Sequence, residues 1–210
     1  MSESEVIKVT TVKKILSWVT PIVIGLLIAL GIRTYFVEMV NVDGPSMEPT
    51  LVNNEKVLAL KRPALHRGSV IVFDANGVDP EVSVKKVYVK RIIGLPGDRV
   101  ESYGGQLYVN GKEVNQDFLS PQETSQGTGE WDLKSLANQH HWVRYNNTVT
   151  VPKDSYFVLG DHRSVSNDSR YFGFVPRQKI IGTVRVMPWS HNDDPKAKKA
   201  INDDWKNFID

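Results

Sequence analysis

The stretch Tyr88-Val89-Lys90-Arg91-Ile92-Ile93-Gly94-Leu95-Pro96-Gly97-Asp98 combines an apolar strand with a tight turn and places a lysine inside the strand. Alternate side chains of a strand share a face, so Tyr88, Lys90 and Ile92 are predicted to point the same way. On this largely apolar face, desolvation disfavours the ammonium form and lowers the pKa of Lys90. An edge-strand lysine whose stem reaches water fits the same pattern, and this stretch alone does not separate the two.

Beyond Arg33 the chain repeats this alternation of short apolar strands and turns. Leu95–Asp98 fits a type II turn, and Asn110-Gly111 is the dipeptide that a type I′ hairpin turn requires. The strands predicted on this basis are Val57–Leu60, Val70–Phe73, Val82–Ile93, Gln106–Val109, Thr148–Val151, Tyr156–Leu159 and Ile180–Met187. The pattern predicts a mainly β fold, with an antiparallel β domain that follows a single N-terminal helix.

A long apolar run near the N-terminus predicts a membrane anchor. Lys14 and Arg33 bracket the uncharged segment Ile15–Ile32, which as a helix would be about 27 Å long, close to the thickness of a bilayer core. Pro21 is expected to be tolerated near the start of this helix, where N–H groups lack partners. A cleaved secretory signal is the alternative, because Ala29-Leu30-Gly31 has the small-x-small form of a cleavage site. The length of the run favours the uncleaved anchor.

The charges around this segment predict its orientation. Lys8, Lys13 and Lys14 precede it, whereas only Arg33 follows closely. The positive-inside rule then places the N-terminus in the cytoplasm and the rest of the chain outside the cell membrane. The predicted divisions are a cytoplasmic segment 1–14, a transmembrane anchor 15–32, an extracytoplasmic domain 33–190 and a charged tail 191–210.

Residues 115–147 differ in composition from the strands around them. Ser, Gln, Thr, Gly and Asn dominate this segment, with scattered aromatic residues. We therefore predict an insertion on the β scaffold, with a short helix around Leu133–Asn138. Both this insertion and the tail 191–210 are expected to be peripheral to the chemistry.

Composition and spacing exclude several functions. The 210-residue chain has a net charge of +2 and no basic stripe with interleaved aromatic residues, so no nucleic-acid partner is predicted. Cysteine is absent, which excludes disulfides, thiolate metal sites and a cysteine nucleophile. His140, His141 and His162 lack metal-ligand spacing, so neither a metal nor another cofactor is predicted.

Two further segments carry candidate chemistry. Ser46 lies between Pro45 and Met47, and backbone of restricted φ would aim its hydroxyl. A turn serine that bonds local backbone groups is the alternative. The segment Gly160–Gly173 follows a predicted strand and is dense in hydroxyls and carboxylates, which could support a neutral amine or simply bond among themselves.

Taken together, four segments resemble the bacterial type I signal peptidase family, in its Gram-positive branch. The matches are Ser-Met-x-Pro-Thr-Leu at Ser46–Leu51, Arg-Gly-x-Val-Ile-Val-Phe at Arg67–Phe73, Lys-Arg-Ile-Ile-Gly-x-Pro-Gly-Asp at Lys90–Asp98 and Gly-Asp-x-Arg-x-x-Ser-x-Asp-Ser-Arg-x-x-Gly at Gly160–Gly173. Any one of them could mislead, but four in the family's order after an apolar N-terminal segment are specific. The resemblance covers residues 15–188.

The resemblance implies a membrane-bound serine endopeptidase that cleaves signal peptides from exported preproteins after small-x-small sites. Ser46 would be the nucleophile and Lys90 the general base. Gly44 stands where some members carry a serine hydroxyl that donates to the oxyanion, which leaves more of that task to the Ser46 N–H. The implied supporting residues are Ser166, which would orient the amine, and Asp161, Asp168 and Arg170, which would brace the site.

Other positions carry expectations of their own. His162 replaces the family's usual Asn and Ser69 its usual Asp, and we expect neither to abolish activity, although His162 could alter the bracing hydrogen bonds. Met47 and Leu51 are expected to form an apolar surface against the membrane. The implied partners are preprotein signal peptides as substrate, the lipid bilayer and the protein export machinery.

Two rival functions fit less well. A self-cleaving repressor-type protease would share the Ser/Lys logic, but the membrane anchor and the absence of a DNA-binding domain argue against it. An inactive anchored β domain that serves as an export scaffold is disfavoured because Ser46 and Lys90 are intact. The sequence also has neither a Gly-x-Ser-x-Gly elbow nor a His-Glu-x-x-His zinc helix.

Overall fold

The structure is a computed structural model, and it describes residues 3–61, 64–142, 145, 147–188, 190, 194–203 and 208–209. For residues 3–13 and 15 it describes the backbone alone. The chain divides into two compact units, residues 1–38 and 39–210.

The first unit consists mainly of one long helix, α1, which spans Glu3–Tyr35. Its segment Leu16–Tyr35 has a mean hydropathy of 1.9 and is long and apolar enough to cross a membrane. The large apolar side chains from Leu16 onward are exposed, as suits residues that would face lipid. Because the helix begins at Glu3, Pro21 lies well inside it, and the expectation that its missing N–H falls in the first turns is wrong.

The strands form two antiparallel sheets, which confirms the predicted fold class. Their bounds are β1 Val37–Asn41, β2 Lys56–Leu60, β3 Val70–Asp74, β4 Val87–Gly94, β5 Val100–Tyr103, β6 Gln106–Val109, β7 Lys112–Glu113, β8 Trp131–Asp132, β9 Ser155–Leu159, β10 Val175–Pro176 and β11 Ile180–Arg185. The larger sheet has the order β1-β2-β11-β3-β4-β9-β10, and the smaller one has the order β7-β6-β5-β8. Strand β4, which carries Lys90, lies inside the larger sheet between β3 and β9.

Short helices complete the second unit. They are α2 Leu133–Gln139, α3 Ser169–Phe172 and α4 Pro195–Asn202, with a π-helical turn at Glu123–Gly127 and a 3₁₀ turn at Arg177–Lys179. Helix α2 confirms the predicted helix, and it starts where a reciprocal capping box between Asp132 and Ser135 satisfies its first N–H groups.

The core follows the two-residue period of the strands. On β3, Val70 and Val72 join one buried cluster, while Ile71 and Phe73 join another on the opposite face. A third buried cluster packs the smaller sheet and α2 against residues of β4 and β9. Lys90 therefore lies in a strand that is covered on both faces.

Both predicted turns are confirmed by their backbone geometry. Gly97 has a φ of +89°, and the N–H of Asp98 donates to the carbonyl of Leu95 at 3.0 Å, as a type II turn requires. Asn110 and Gly111 have φ values of +55° and +78°, which gives the type I′ connection between β6 and β7.

Two strand predictions are wrong. Strand β4 begins at Val87, so residues 82–86 form a loop that makes no continuous ladder with β3. Residues 148–151 form no strand either, although Val151 exchanges backbone hydrogen bonds with the turn at Gly97 and Asp98. In both places β-branched residues serve loop packing, and residue type alone could not distinguish that from a ladder.

Candidate active site

Ser46 lies in a turn that follows β1, and the turn is anchored by backbone hydrogen bonds and by two buried neighbouring side chains. The N–H of Glu48 donates to the carbonyl of Pro45 at 3.0 Å, and that of Leu51 donates to the carbonyl of Met47 at 2.9 Å. The side chains of Met47 and Leu51 are fully buried in the core of the second unit. The expectation that they form an exposed apolar surface is therefore wrong, because they anchor the turn that presents Ser46.

Lys90 extends from β4 directly to this serine. Its Nζ lies 2.7 Å from Ser46 Oγ, and the residue is only 4% exposed. The Nζ also lies 5.3 Å from the centre of the Tyr88 ring, so these two residues share a face of the strand as predicted. The structure thus brings together the two residues that the sequence predicts as nucleophile and base.

The environment lowers the pKa of Lys90 from 10.5 to about 8, chiefly because burial disfavours the ammonium form. Asp168 and Asp161 act in the opposite direction, and Arg170 adds to the depression. At pH 7 a lysine of pKa 8 is about 10% neutral, against roughly 0.03% for one of pKa 10.5. Burial therefore raises the population of the basic form about 300-fold.

Gly160 allows the loop after β9 to approach Ser46 closely. A Cβ at this position would lie 2.4 Å from the Ser46 carbonyl oxygen and 2.2 Å from Ser166 Oγ. The sequence around Gly160 gives no sign of this role, because a glycine after a strand is common and Ser46 lies far away along the chain. Only the tertiary contact reveals why no side chain fits.

Ser166 is buried beside Gly160, but it does not bond Lys90. Within the described residues, its Oγ has no hydrogen-bond partner. A buried hydroxyl without a hydrogen-bond partner destabilises the fold by about 1–3 kcal/mol, so an unbonded Oγ next to the reacting pair calls for an explanation. The role predicted for Ser166, orientation of the Lys90 amine, stays a prediction.

Asp168 and Arg170 fix the loop that contains Ser166. Two nitrogens of the Arg170 guanidinium contact the carboxylate at 2.9 and 3.0 Å, and the N–H of Gly160 donates to Asp168 Oδ2 at 3.1 Å. The remaining Arg170 donors reach the carbonyls of Gly127 and Arg163. A bidentate ion pair with these extra bonds ties both ends of the loop together.

Asp161 forms a fully buried pair with Arg91, the neighbour of Lys90 on β4. The guanidinium contacts both carboxylate oxygens at 2.8 and 2.7 Å, and its Nη1 donates to the carbonyls of Gly68 and Ala200. Ala200 belongs to α4, so part of the C-terminal segment lies closer to the chemistry than its sequence suggests. Removing one member of such a pair costs about 3–5 kcal/mol, because the other charge stays buried.

The segment 115–147 also reaches the active-site loop. Arg163 Nη1 donates to Gln116 Oε1 at 2.8 Å and to Thr128 Oγ1 at 2.9 Å, while Glu123 accepts hydrogen bonds from the N–H and Oγ of Ser164. This segment, expected to be peripheral, therefore supports the loop from its outer side. Its polar composition gave no signal of these long-range contacts.

His162 bonds the turn that carries Ser46. Its ring Nδ1 lies 3.1 Å from the carbonyl oxygen of Pro45, and its backbone N–H donates to the carbonyl of Ser46 at 3.1 Å. Whether His162 alters the bracing hydrogen bonds stays a prediction, and the structure shows that its ring contacts the turn before Ser46. No group of three or more His, Asp or Glu residues in the described ranges could hold a metal ion.

Gly44 and Ser46 differ in what their N–H groups can do. Gly44 has a φ of +85°, and its N–H donates to Asn53 Oδ1 at 2.9 Å. The N–H of Ser46 makes no hydrogen bond with the described residues. It is therefore the donor next to the nucleophile that is available to an oxyanion.

A cleft of about 260 Å³ lies in front of this pair. Two backbone segments, 42–44 and 86–89, line its sides, and Val165 and Asn167 close it at the loop. A serine hydroxyl in contact with a buried lysine of lowered pKa, at the bottom of a cleft, is the arrangement of a serine hydrolase with a lysine base.

Comparison with known proteins gives the family. A family model described as "Signal peptidase, peptidase S26" matches residues 15–189. Signal peptidase IB of Staphylococcus aureus (strain COL) is 37% identical over 200 residues, which cover 89% of this chain and 98% of that protein. The probable signal peptidase I-2 of Synechocystis sp. (strain ATCC 27184 / PCC 6803 / Kazusa) is 35% identical over 174 residues, which cover 80% of this chain and 70% of that protein.

Among solved structures, a signal peptidase I from Enterococcus faecalis V583 matches with 33% identity and a TM-score of 0.46. The match covers 58% of this chain and 97% of that one. By the extent of the family match and of the relatives, this chain belongs to the signal peptidase family, peptidase S26. The resemblance seen in its four sequence segments is confirmed.

Proposed function

We propose that the protein is a membrane-anchored serine endopeptidase that removes signal peptides from exported preproteins after small-x-small sites, with Ser46 as nucleophile and Lys90 as general base. The observation that carries this assignment is the 2.7 Å contact between Lys90 Nζ and Ser46 Oγ at a buried lysine. Membership of the signal peptidase family supplies the type of reaction.

The geometry suits a two-step acyl transfer. Neutral Lys90 accepts the proton of Ser46 Oγ while that oxygen bonds to the scissile carbonyl carbon, and the resulting oxyanion faces the N–H of Ser46. The Lys90 ammonium then protonates the leaving amine as the C–N bond breaks, which leaves an ester on Ser46. A water deprotonated by Lys90 hydrolyses this ester, and the proton returns to Ser46 Oγ.

The surrounding residues keep this pair in register. Asp161 with Arg91 and Asp168 with Arg170 fix the two ends of the loop, and we assign to Ser166, whose buried Oγ has no partner among the described residues, the orientation of the Lys90 amine. Charge pairs on fixed backbone leave little to reorganise during the reaction.

The shape of the cleft supports an extended substrate with small side chains. The cleft of about 260 Å³ lies between the backbone segments 42–44 and 86–89, whose N–H and C=O groups would bond a peptide strand placed between them. Small residues at the first and third positions before the scissile bond would let that strand approach the walls closely.

Anchoring and orientation belong to the same proposal. Helix α1 would cross the cell membrane once, with residues 1–14 in the cytoplasm, an anchor at 15–32 and the catalytic domain 33–190 outside. The lysines before the apolar segment support this direction. The lipid bilayer and the export machinery that delivers preproteins are then its partners.

Cleavage of a preprotein by the purified full chain in detergent tests the assignment. Wild type should release the signal peptide from a precursor with alanines at both small positions, and Ser46→Ala should show no turnover. Ser83→Ala, an exposed serine of the same domain, is the matched control and should keep full activity. Turnover by Ser46→Ala in a preparation free of host enzyme would overturn the proposal.

A further inference from the structure

A buried carboxylate beside the cleft lies outside the four sequence segments shared with the family. Asp79 belongs to the loop between β3 and β4 and is 3% exposed. Its Oδ2 accepts hydrogen bonds from Tyr88 Oη at 2.9 Å and Asn167 Nδ2 at 2.8 Å, and its Oδ1 accepts one from the N–H of Glu81 at 3.0 Å. Within the described chain, no cationic side chain lies within ion-pair distance of it.

Both side-chain donors to Asp79 line the cleft. Tyr88 precedes Lys90 by two residues on the same face of β4, and its ring centre lies 5.3 Å from Lys90 Nζ. Asn167 follows Ser166 in the loop after β9. One carboxylate thus connects the strand that presents the lysine with the loop that presents Ser166.

The Tyr88 ring is held by contacts with two aromatic rings and with Asp79. It packs edge-on against Phe73 and tilted against Phe172, with ring centres 5.9 and 6.4 Å away, and Asp79 fixes its phenol end. Burial, together with the hydrogen bond to Asp79, raises the pKa of Tyr88 to about 12. The phenol therefore stays a hydrogen-bond donor throughout the neutral range.

Asp79 also differs electrostatically from the other carboxylates that act on Lys90. The charged groups that influence this amine are Asp168, Asp161, Arg170 and Asp79. The first two carboxylates are each neutralised by a bidentate arginine. Among the described residues, Asp79 accepts hydrogen bonds from neutral donors alone, so no ion pair there compensates its negative charge.

We propose that Asp79 is a positioning residue for the peptidase reaction, which holds Lys90 through Tyr88 and the Ser166 loop through Asn167. This inference rests on the proposed role of Lys90 as general base. The negative charge of Asp79 favours the ammonium form of Lys90, so removing that charge should make the Lys90 amine easier to deprotonate. Geometry and charge therefore give two separate effects to measure.

The pH dependence of kcat/KM for the full-length enzyme separates the two effects. Asp79→Asn keeps the size but removes the charge, and its single amide oxygen cannot accept both from the two side chains at the Oδ2 position and from the Glu81 N–H at the Oδ1 position, so the loop must shift. We expect kcat to fall about tenfold with KM changed less than twofold, and the acidic limb to move to lower pH by on the order of half a unit. Glu81→Gln is the matched control, an exposed carboxylate of the same loop, and should change neither kcat nor the limb.

Asn167→Ala provides a second variant that leaves the charge in place and decides the matter if Asp79→Asn does not fold. It should lower kcat while the limb stays where it is in wild type, with thermal unfolding confirming a folded protein. An unshifted limb in folded Asp79→Asn, an equal shift in Glu81→Gln, or unchanged kcat in Asn167→Ala would overturn the inference. A wild-type profile without a limb near pH 8 would refute the role of Lys90 itself, and the inference with it.

Discussion

Replacing Gly160 by alanine should disable the enzyme without unfolding it. The new Cβ would lie 2.4 Å from the Ser46 carbonyl oxygen and 2.2 Å from Ser166 Oγ. Since non-bonded heavy atoms prefer separations of about 3.5 Å, the Ser46 backbone must move by roughly 1 Å. A misplacement of that size costs about 100-fold in rate, so we expect kcat to fall by about that factor.

The assay for Gly160→Ala is steady-state cleavage of a preprotein, normalised to the folded fraction from thermal unfolding. Gly182→Ala is the matched control, because its Cβ would lie 2.5 Å from the carbonyl oxygen of Leu60, a similar overlap in the larger sheet but outside the site. It should lower Tm while kcat per folded molecule stays within twofold of wild type. The reasoning fails if folded Gly160→Ala keeps kcat within threefold, or if Gly182→Ala loses as much.

Three further predictions concern Lys90, Ser166 and the N-terminal helix. Lys90→Met should be inactive, yet at neutral pH its free energy of unfolding should exceed that of wild type by about 3 kcal/mol, because wild type must bury an ammonium whose pKa is lowered by folding. The unfolded wild-type chain binds more protons than the folded one between pH 8 and 10.5, so this difference should shrink as pH rises through that window. Ser166→Ala should lower kcat more than tenfold with little change in Tm, since its Oγ has no resting partner to lose among the described residues; unchanged kcat would remove it from the mechanism. Protease added to intact protoplasts should digest the domain 33–190, whereas a soluble form beginning at Ile32 would support cleavage after Gly31.

Local patterns predicted much of this architecture because they report local physics. The alternation around Lys90 gave its strand and its face, and the Asn110-Gly111 pair gave a hairpin whose φ values match. Errors arose where β-branched residues pack in loops, as at Val82 and Val151, since such residues satisfy a strand pattern without a neighbouring strand to pair with.

The members of the site were easier to predict than the contacts between them. Family resemblance supplied Ser46 and Lys90, and the structure places them in contact. It gave no indication that a carbonyl of α4 accepts a hydrogen bond from Arg91, or that Asp79 accepts one from Asn167. Such contacts join segments that are distant along the chain. In the sequence of each segment alone, its polar groups could bond water equally well.

The partly neutral Lys90 amine is the central claim, and a direct titration tests it most closely. In full-length enzyme labelled at the lysine side-chain carbons, NMR should show one lysine that titrates near pH 8, and Lys90→Met should lack that resonance. The account is contradicted if no lysine titrates near pH 8, or if the resonance that does so persists in Lys90→Met.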